Sequence, residues 1–485
     1  GTCPRPCSSR LGTMKATAAG ALALALGSHV KATTEYVGMA PVALCCSNVN
    51  STIKWAKLQY DSPQSVDDVS MAMVEADMVA DVEALGSWFD FQLPESKDDG
   101  YGVVLTARVF DEKLYMPTET SWWDDRDLTQ GCCASRMHVH DRSTNTTIVH
   151  DTSDILNTAM PDVATKGNSH TFDVSKEDGT TWVTLDVQYL NYTLNAAGAK
   201  ADGVVVFDAE TGVVRNTADG AGWYDTPATS GTLAMDETST IYKIQHGSWD
   251  GAGDSGAAFE QWHQNGVLRW TGRDGVSYMA ITHYAHHEAV IMLDPWVYPT
   301  VEGGGEVVQR FGSPGIYNAT GGVTGYHHFG LDESTFFFDA VHNVHYNPSS
   351  TTEKLLGQET LTLYVNQVYY ESGTIIHPET DFSFVAEFVI NPQRQQDMDG
   401  PITDAVFDTD YTLAQLSFIS TQQGGARNIG NGVYISSTGI ASTAINQPGR
   451  LDGMEVVDID GGHISVDYGT PNSFYDSFIR VVVEE

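Results

Sequence analysis

Basic residues are scarce in this chain. Its 485 residues hold 25 Lys and Arg against 63 Asp and Glu, a formal net charge of −38. A surface of that sign repels phosphate backbones and anionic lipid, which excludes nucleic acid and membrane surfaces as partners. The acidic residues are spread through turns rather than run together, so they read as a solvated surface and not as an acidic tail. Long hydrophobic runs are also missing. The apolar run Ala16 to Leu26 is too short to span a bilayer. Cysteine is limited to six residues. Walker loops, dinucleotide fingerprints and Ser-His-Asp elbows are absent, so no cofactor is expected.

What is present begins with targeting. Residues 1–13 precede the first plausible initiator, Met14, and read as translated leader. Met14-Lys15, the apolar run and Val30-Lys31-Ala32 follow the charged, apolar, small-residue layout of a signal peptide over 14–32. Four N-x-Ser/Thr sequons, at Asn50, Asn145, Asn191 and Asn318, agree with secretion. Past the signal, the cysteines form two adjacent pairs, Cys45-Cys46 and Cys132-Cys133. They lack the C-x-x-C spacing of a metal site, and in an oxidising compartment two disulfides of undetermined connectivity are expected. The expected localisation is therefore extracellular.

From about Gly100 onward, short β-branched and aromatic runs alternate with Gly/Asp/Asn/Pro turns, the pattern of antiparallel all-β structure. Two hairpin forms recur. In one, an apolar strand ends in Asp before a tight turn, as in Val204 to Asp208, Met454 to Asp458, Arg136 to Asp141 and Val290 to Asp294. In the other, His or Asn precedes an Asp/Asn-Gly turn and a strand, as in Ser169-His170-Thr171 leading to Thr181 and in Arg427 to Ile435. Alternating hairpins over nearly 400 residues imply a β-propeller of about six blades over 98–485, with a pair of β-sandwiches as the other architecture. The segment 33–97 reads differently. Ser65 to Ala80 suits a helix capped by Ser65, or a strand, and 33–97 is expected to be a small N-terminal extension.

The chain has sixteen histidines, most of them between Met137 and His345. Imidazole titrates near neutrality and can act as nucleophile, acid or base. His283, His286 and His287 have the spacing of a transition-metal site, but only Glu288 stands near them as a carboxylate, and no metal is expected. Asp397-Met398-Asp399-Gly400 and Asp458-Ile459-Asp460-Gly461 lack the closing Glu of an EF-hand and read as ordinary turns. For His138, His140, His150, His377 and His463 a structural or surface role is expected.

Several segments, in order, resemble the arylsulfotransferase β-propeller family over roughly Gly100 to Val483. They are Trp262-His263-x-Asn265 followed by Glu288 to Asp294, Gly304-Gly305-Glu306 to Pro314, His342-Asn343-Val344, and Leu363-Tyr364-Val365-Asn366. The resemblance implies a secreted or periplasmic propeller that moves a sulfuryl group from one phenol to another without a nucleotide cofactor. Its partners would be a small phenolic sulfate and a phenol. It implies His342 as nucleophile, with His170 and His263 supporting. One departure stands out. Where the family keeps an arginine, this chain has Thr282 to His287. His283, Tyr284 or His286 would then donate to the sulfuryl oxygens, or Arg310 or Arg273 would reach in, and Asn366 is expected to bind substrate. A neutral donor stabilises an oxyanion less than a guanidinium fork does. An inactive binding propeller and a sulfate-ester hydrolase on the same site are the competing readings.

Overall fold

The computed structural model describes residues 32–39, 52–91, 102–104, 106–120, 135–164, 166–191, 199–226, 259–260, 264–283, 288–312, 341–366, 369–371, 374–376, 383–391, 410–417, 424–437, 453–468 and 478–484. Six antiparallel sheets form the blades of a β-propeller. Blade 1 runs outward from Phe478–Glu484 through Thr33–Met39 and Lys54–Tyr60 to Val69–Met73. Blade 2 has a divided inner strand, Gly102–Val104 and Arg108–Phe110, followed by Lys113–Thr120, Ser135–Asp141 and Thr146–Asp151. Blade 3 comprises Lys166–Glu177, Thr180–Asn191, Ala199–Asp208 and Val214–Arg215. Blade 4 comprises Gln264–Thr271, Ser277–His283, Glu288–Leu293 and Val307–Gly312. Blade 5 comprises Val341–Asn347, Thr360–Val365, Phe384–Val389 and Tyr411–Gln415. Blade 6 comprises Ala426–Gly430, Val433–Ser437, Gly453–Asp458 and His463–Asp467.

The core explains the ring. Blade strands bury both faces, so many are apolar throughout and not alternating. In blade 4, Ala280 packs with blade 5 residues such as Leu363, while Met279 and Ile281 pack with Val204 and Val206 of blade 3. The other blade pairs share clusters in the same way: Tyr115 with Phe172, Tyr364 with Tyr434, Ile435 with Leu58, and Tyr36 with Leu114. Each fully buried Val, Leu, Ile or Phe contributes about 1.5–3 kcal/mol of transfer free energy.

The two hairpin forms of the sequence have distinct places. Asp-Gly and Asn-Gly turns link first to second strands: Asp178 and Gly179 at φ 50° and 84°, Asn431 and Gly432 at 48° and 78°. Both residues must adopt positive φ in such a turn, which is why Asn or Asp precedes Gly. The strand-ending Asp lies at the third-to-fourth turn. Asp208 Oδ1 accepts from the amides of Glu210 and Thr211, and Asp141 Oδ1 from Ser143 and Thr144. Asp294 Oδ1 accepts from Trp296, and Asp458 Oδ1 from Asp460 and Gly462. Asp458 is thus occupied by turn amides, as expected for a loop that lacks the EF-hand Glu. Asp397 to Gly400 lies outside the described residues.

The expected N-terminal extension needs correction. Thr33 to Met73 is not an appendage but three of the four strands of blade 1. The C-terminal strand supplies the fourth, with Thr33 opposite Glu484 and Met39 opposite Phe478. Arg480 forks onto the fully buried Glu35, with Nη2 2.9 Å from Oε2, and Tyr60 donates to the same carboxylate at 2.7 Å. Joining the first and last segments in blade 1 closes the ring, and each blade keeps only short edges. Ser65 to Ala80 is not one helix. It divides into a 3-10 turn at Val66–Asp68, the strand Val69–Met73 and the start of a helix at Val79–Leu85. A second helix, Thr152–Ala159, is capped by Asp151, whose Oδ1 accepts from the Ser153 amide at 2.9 Å.

The leader and signal segments, the four cysteines, Asn50 and Asn318 lie outside the described residues. Asn145 stands exposed on a turn at φ 52°. Asn191 ends the second strand of blade 3. No helix among the described residues is long and apolar enough to cross a membrane.

Candidate functional site

The pairing registers place the first residues of each inner strand opposite the last residues of the second strand: Gln264 opposite His283 in blade 4, and Val341 opposite Val365 in blade 5. His170, His283, His342 and Asn366 therefore belong to one end of the propeller. His263, directly before Gln264, and Tyr284, directly after His283, lie outside the described residues.

At this end the inner strands of three consecutive blades depart from regular pairing. In blade 3, Ser169 to Thr171 stand opposite the single residue Asp186, between the pairs Asn168–Val187 and Phe172–Leu185, with His170 at the middle. In blade 4 the register slips between Gln264 and Gly266. In blade 5 it slips between His342 and Val344, and Asn343 sits at φ 51°. A bulge bends its strand and re-aims the side chains beside it. Glycine at 266 is required by space: a Cβ there would lie 2.5 Å from Thr282 Oγ1 and 3.2 Å from Val344 Cγ1 of the next blade.

The bulge at Asn343 sets the chemistry of blade 5. His342 pairs with Tyr364 and His345 with Thr362, so both imidazoles emerge on the same face although they are three residues apart. His342 is 5% exposed. Its Nδ1 lies 2.5 Å from Oδ1 of the fully buried Asn366, whose own carbonyl accepts from Ser383 Oγ at 2.8 Å. An amide oxygen can only accept, so Nδ1 carries the proton and the neutral ring keeps its lone pair at Nε2. In blade 4, His283 is fully buried, and Gln264 Oε1 accepts from Thr226 Oγ1 at 3.2 Å.

The other expected residues fall elsewhere. Arg310 belongs to the outermost strand of blade 4, three strand spacings or about 14 Å from the inner strand, so its backbone stands apart from His342. Arg273 is on the opposite end, where Nη1 donates to the Gly357 carbonyl at 2.7 Å. His140 is held between Ser87 Oγ at 3.1 Å and Thr147 Oγ1 at 2.9 Å, and His150 bonds the Ala209 carbonyl at 2.8 Å. Both are structural. Burial pushes His138 down to about 4, so it is neutral at pH 7. No group of three His, Cys, Asp or Glu suited to a metal occurs among the described residues.

The sequence marks one further residue only by its place in the Trp262-His263-x-Asn265 motif. Asn265, at the blade 4 bulge, is fully buried with neither amide atom hydrogen-bonded among the described residues. A buried amide without partners is costly, which marks this position out. Its only signal in the sequence was its distance from His263.

No family model matches the chain, and no curated protein matches it. Among solved structures it is similar to an exo-1,5-alpha-L-arabinanase from a bovine ruminal metagenomic library, at 10% identity over 76% of this chain and 99% of that one, TM-score 0.29. It is similar to an exo-inulinase from Aspergillus awamori, at 7% identity over 79% and 90%, TM-score 0.27. It is also similar to the β-propeller domain of the Trilobed protease from Pyrococcus furiosus, at 9% identity over 76% and 97%, TM-score 0.21. Likeness at this level brings no activity or ligand to this chain.

Proposed function

We propose that the protein transfers a sulfuryl group from a phenolic sulfate ester to a phenol through a sulfo-histidine at His342. The observation that carries this reading is the hydrogen bond between His342 Nδ1 and Asn366 Oδ1. It directs the lone pair to Nε2 and supports the positive charge that develops on the ring when Nε2 attacks. In the first step an Nε2–S bond forms as the ester S–O bond breaks, and the electron pair leaves with the phenolate, which takes a proton from a second imidazole. In the second step the acceptor phenol gives that imidazole its proton, its oxygen attacks sulfur, and the Nε2–S bond breaks to restore neutral His342. His170 and His263 are the proposed acid and base, since general catalysis needs an imidazole whose proton can move in both directions. His283 and Tyr284 are the proposed donors to the sulfuryl oxygens. Arg310, on the outermost strand, has no part in the step.

We also take the protein to be secreted and glycosylated, with its four mature cysteines in disulfides. The signal-like opening, the sequons and the exposed turn at Asn145 support this. The test is a chromogenic aryl sulfate assay with and without acceptor phenol. Phenol-dependent turnover that disappears in His342→Ala is the expected result. Turnover equal without phenol makes the protein a hydrolase. Absence of turnover in the wild type makes it a binding propeller and overturns the enzymatic reading.

A further inference from the structure

Deeper in the ring, five inner strands carry groups that act on one another. Arg108 of blade 2 spends Nη1 on Asp173 of blade 3 at 3.1 Å, while its Nε is buried with no hydrogen-bond partner. Arg480 of blade 1 is committed to Glu35 and Tyr60. Arg427 of blade 6 has no ion pair or side-chain hydrogen bond among the described residues. Burial, then repulsion by Arg108 and Arg480, pushes its guanidinium down to about 9. His345 of blade 5 feels burial and the same three arginines, and is held well below its ordinary value, hence neutral at pH 7. Its Nδ1 is buried without a partner. Burial pushes Asp173 up, against the pull of Arg108.

Charge makes the case. Among the described residues, three guanidiniums face two carboxylates, Asp173 and Glu35, which leaves Arg427 without an ion pair. It stands inside a protein whose net charge is −38. A half-buried, unpaired guanidinium is unfavourable unless something anionic answers it. We propose that the inner strands, at Arg427 with Arg108, Arg480 and His345, bind a small tetrahedral oxyanion, sulfate or phosphate. The donors arrive from blades 1, 2, 5 and 6, on several sides of the axis. A tetrahedral anion offers acceptors in all these directions, whereas a carboxylate offers two in one plane. Along the blade 5 strand this site lies about 7 Å from His342, because the bulge takes up one of the three residues and their partners Tyr364 and Thr362 are two rises of about 3.3 Å apart. It does not depend on the sulfuryl-transfer reading.

The experiment is isothermal titration of the full chain with sodium sulfate, sodium phosphate, sodium acetate and sodium chloride at constant ionic strength. Saturable one-site heat with sulfate or phosphate is expected, and whichever is tighter names the source. In Arg427→Met, affinity for that anion falls at least about tenfold, the loss expected for a charge-assisted hydrogen bond. In anion-free buffer the same variant melts higher than wild type, because a half-buried cation without an ion pair has been removed. A merely structural arginine would lower it. Should Arg427→Met not fold, Arg427→Lys keeps the charge without the fork and binds more weakly than wild type. No saturable heat with either oxyanion, equal binding of acetate or chloride, or unchanged affinity in both variants overturns the proposal. The general salting-out effect of sulfate does not saturate and is thereby distinguished.

Discussion

Glu455 offers a sharp physical test of the fold. It sits on the third strand of blade 6, fully buried, with Ser417 Oγ donating to Oε2 at 2.6 Å and the Ser417 amide at 3.3 Å. Burial pushes its carboxyl up from 4.5 to about 7, and the Ser417 bonds oppose the rise only in part. Below pH 4.5 both folded and unfolded chains hold this proton, so the group has no effect. Between pH 4.5 and about 7 the folded chain keeps a proton the unfolded chain has released, and stability falls as pH rises. Above that window the loss is constant, about 3 kcal/mol at about 1.36 kcal/mol per pH unit. Glu455→Gln keeps the shape and an oxygen for Ser417 but cannot ionise. In urea titrations the variant is expected to match wild type within about 1 kcal/mol at pH 5 and to exceed it by about 2–3 kcal/mol at pH 8. Comparing variant with wild type cancels the opposite trend from carboxyls held low, such as Asp81, where Lys57 and Tyr36 outweigh burial. A difference independent of pH, or a variant weaker at pH 8, would refute the reasoning.

Two further substitutions test how the blades are joined and shaped. The fully buried Glu387 accepts from Thr352 Oγ1 at 2.9 Å, Thr360 Oγ1 at 2.6 Å, Asn428 Nδ2 at 2.8 Å and Tyr434 OH at 2.7 Å, which ties blade 5 to blade 6. Glu387→Ala removes the acceptor these four donors share and is expected to cost about 3–5 kcal/mol by urea titration; a loss under about 1 kcal/mol contradicts the tie. Asn343 holds the bulge at φ 51°. Asn343→Val is expected to lose about 1–2 kcal/mol in thermal melts while Asn343→Gly holds near wild type, and equal stability of the two would contradict the bulge.

Local chemistry was legible in the sequence, and long-range pairing was not. The strand-ending Asp and the Asn-Gly turns revealed repeated hairpins because each satisfies its own turn within a few residues. Blade 1 stayed hidden because its inner strand comes from the other end of the chain, with Glu35 and Arg480 445 residues apart. Arg310 looked usable because a motif fixes the order of residues but not the rank of a strand within its blade. The joint charge of Arg108, Arg427 and Arg480 was illegible in the sequence for the opposite reason. Each is an ordinary strand residue in sequence, and only ring closure brings them together. His342 and Asn366 were found in the sequence, but the bulge that puts His342 and His345 on one face needed the backbone.

The most direct test of the central claim is to look for the intermediate. The protein is mixed with an aryl sulfate in the absence of acceptor phenol, quenched in base to preserve the labile N–S bond, digested and examined by mass spectrometry. A mass gain of one SO3 on the peptide containing His342, absent in His342→Ala and discharged by added phenol, is the predicted result. Turnover with no sulfated His342, or the same gain on another histidine, would contradict it.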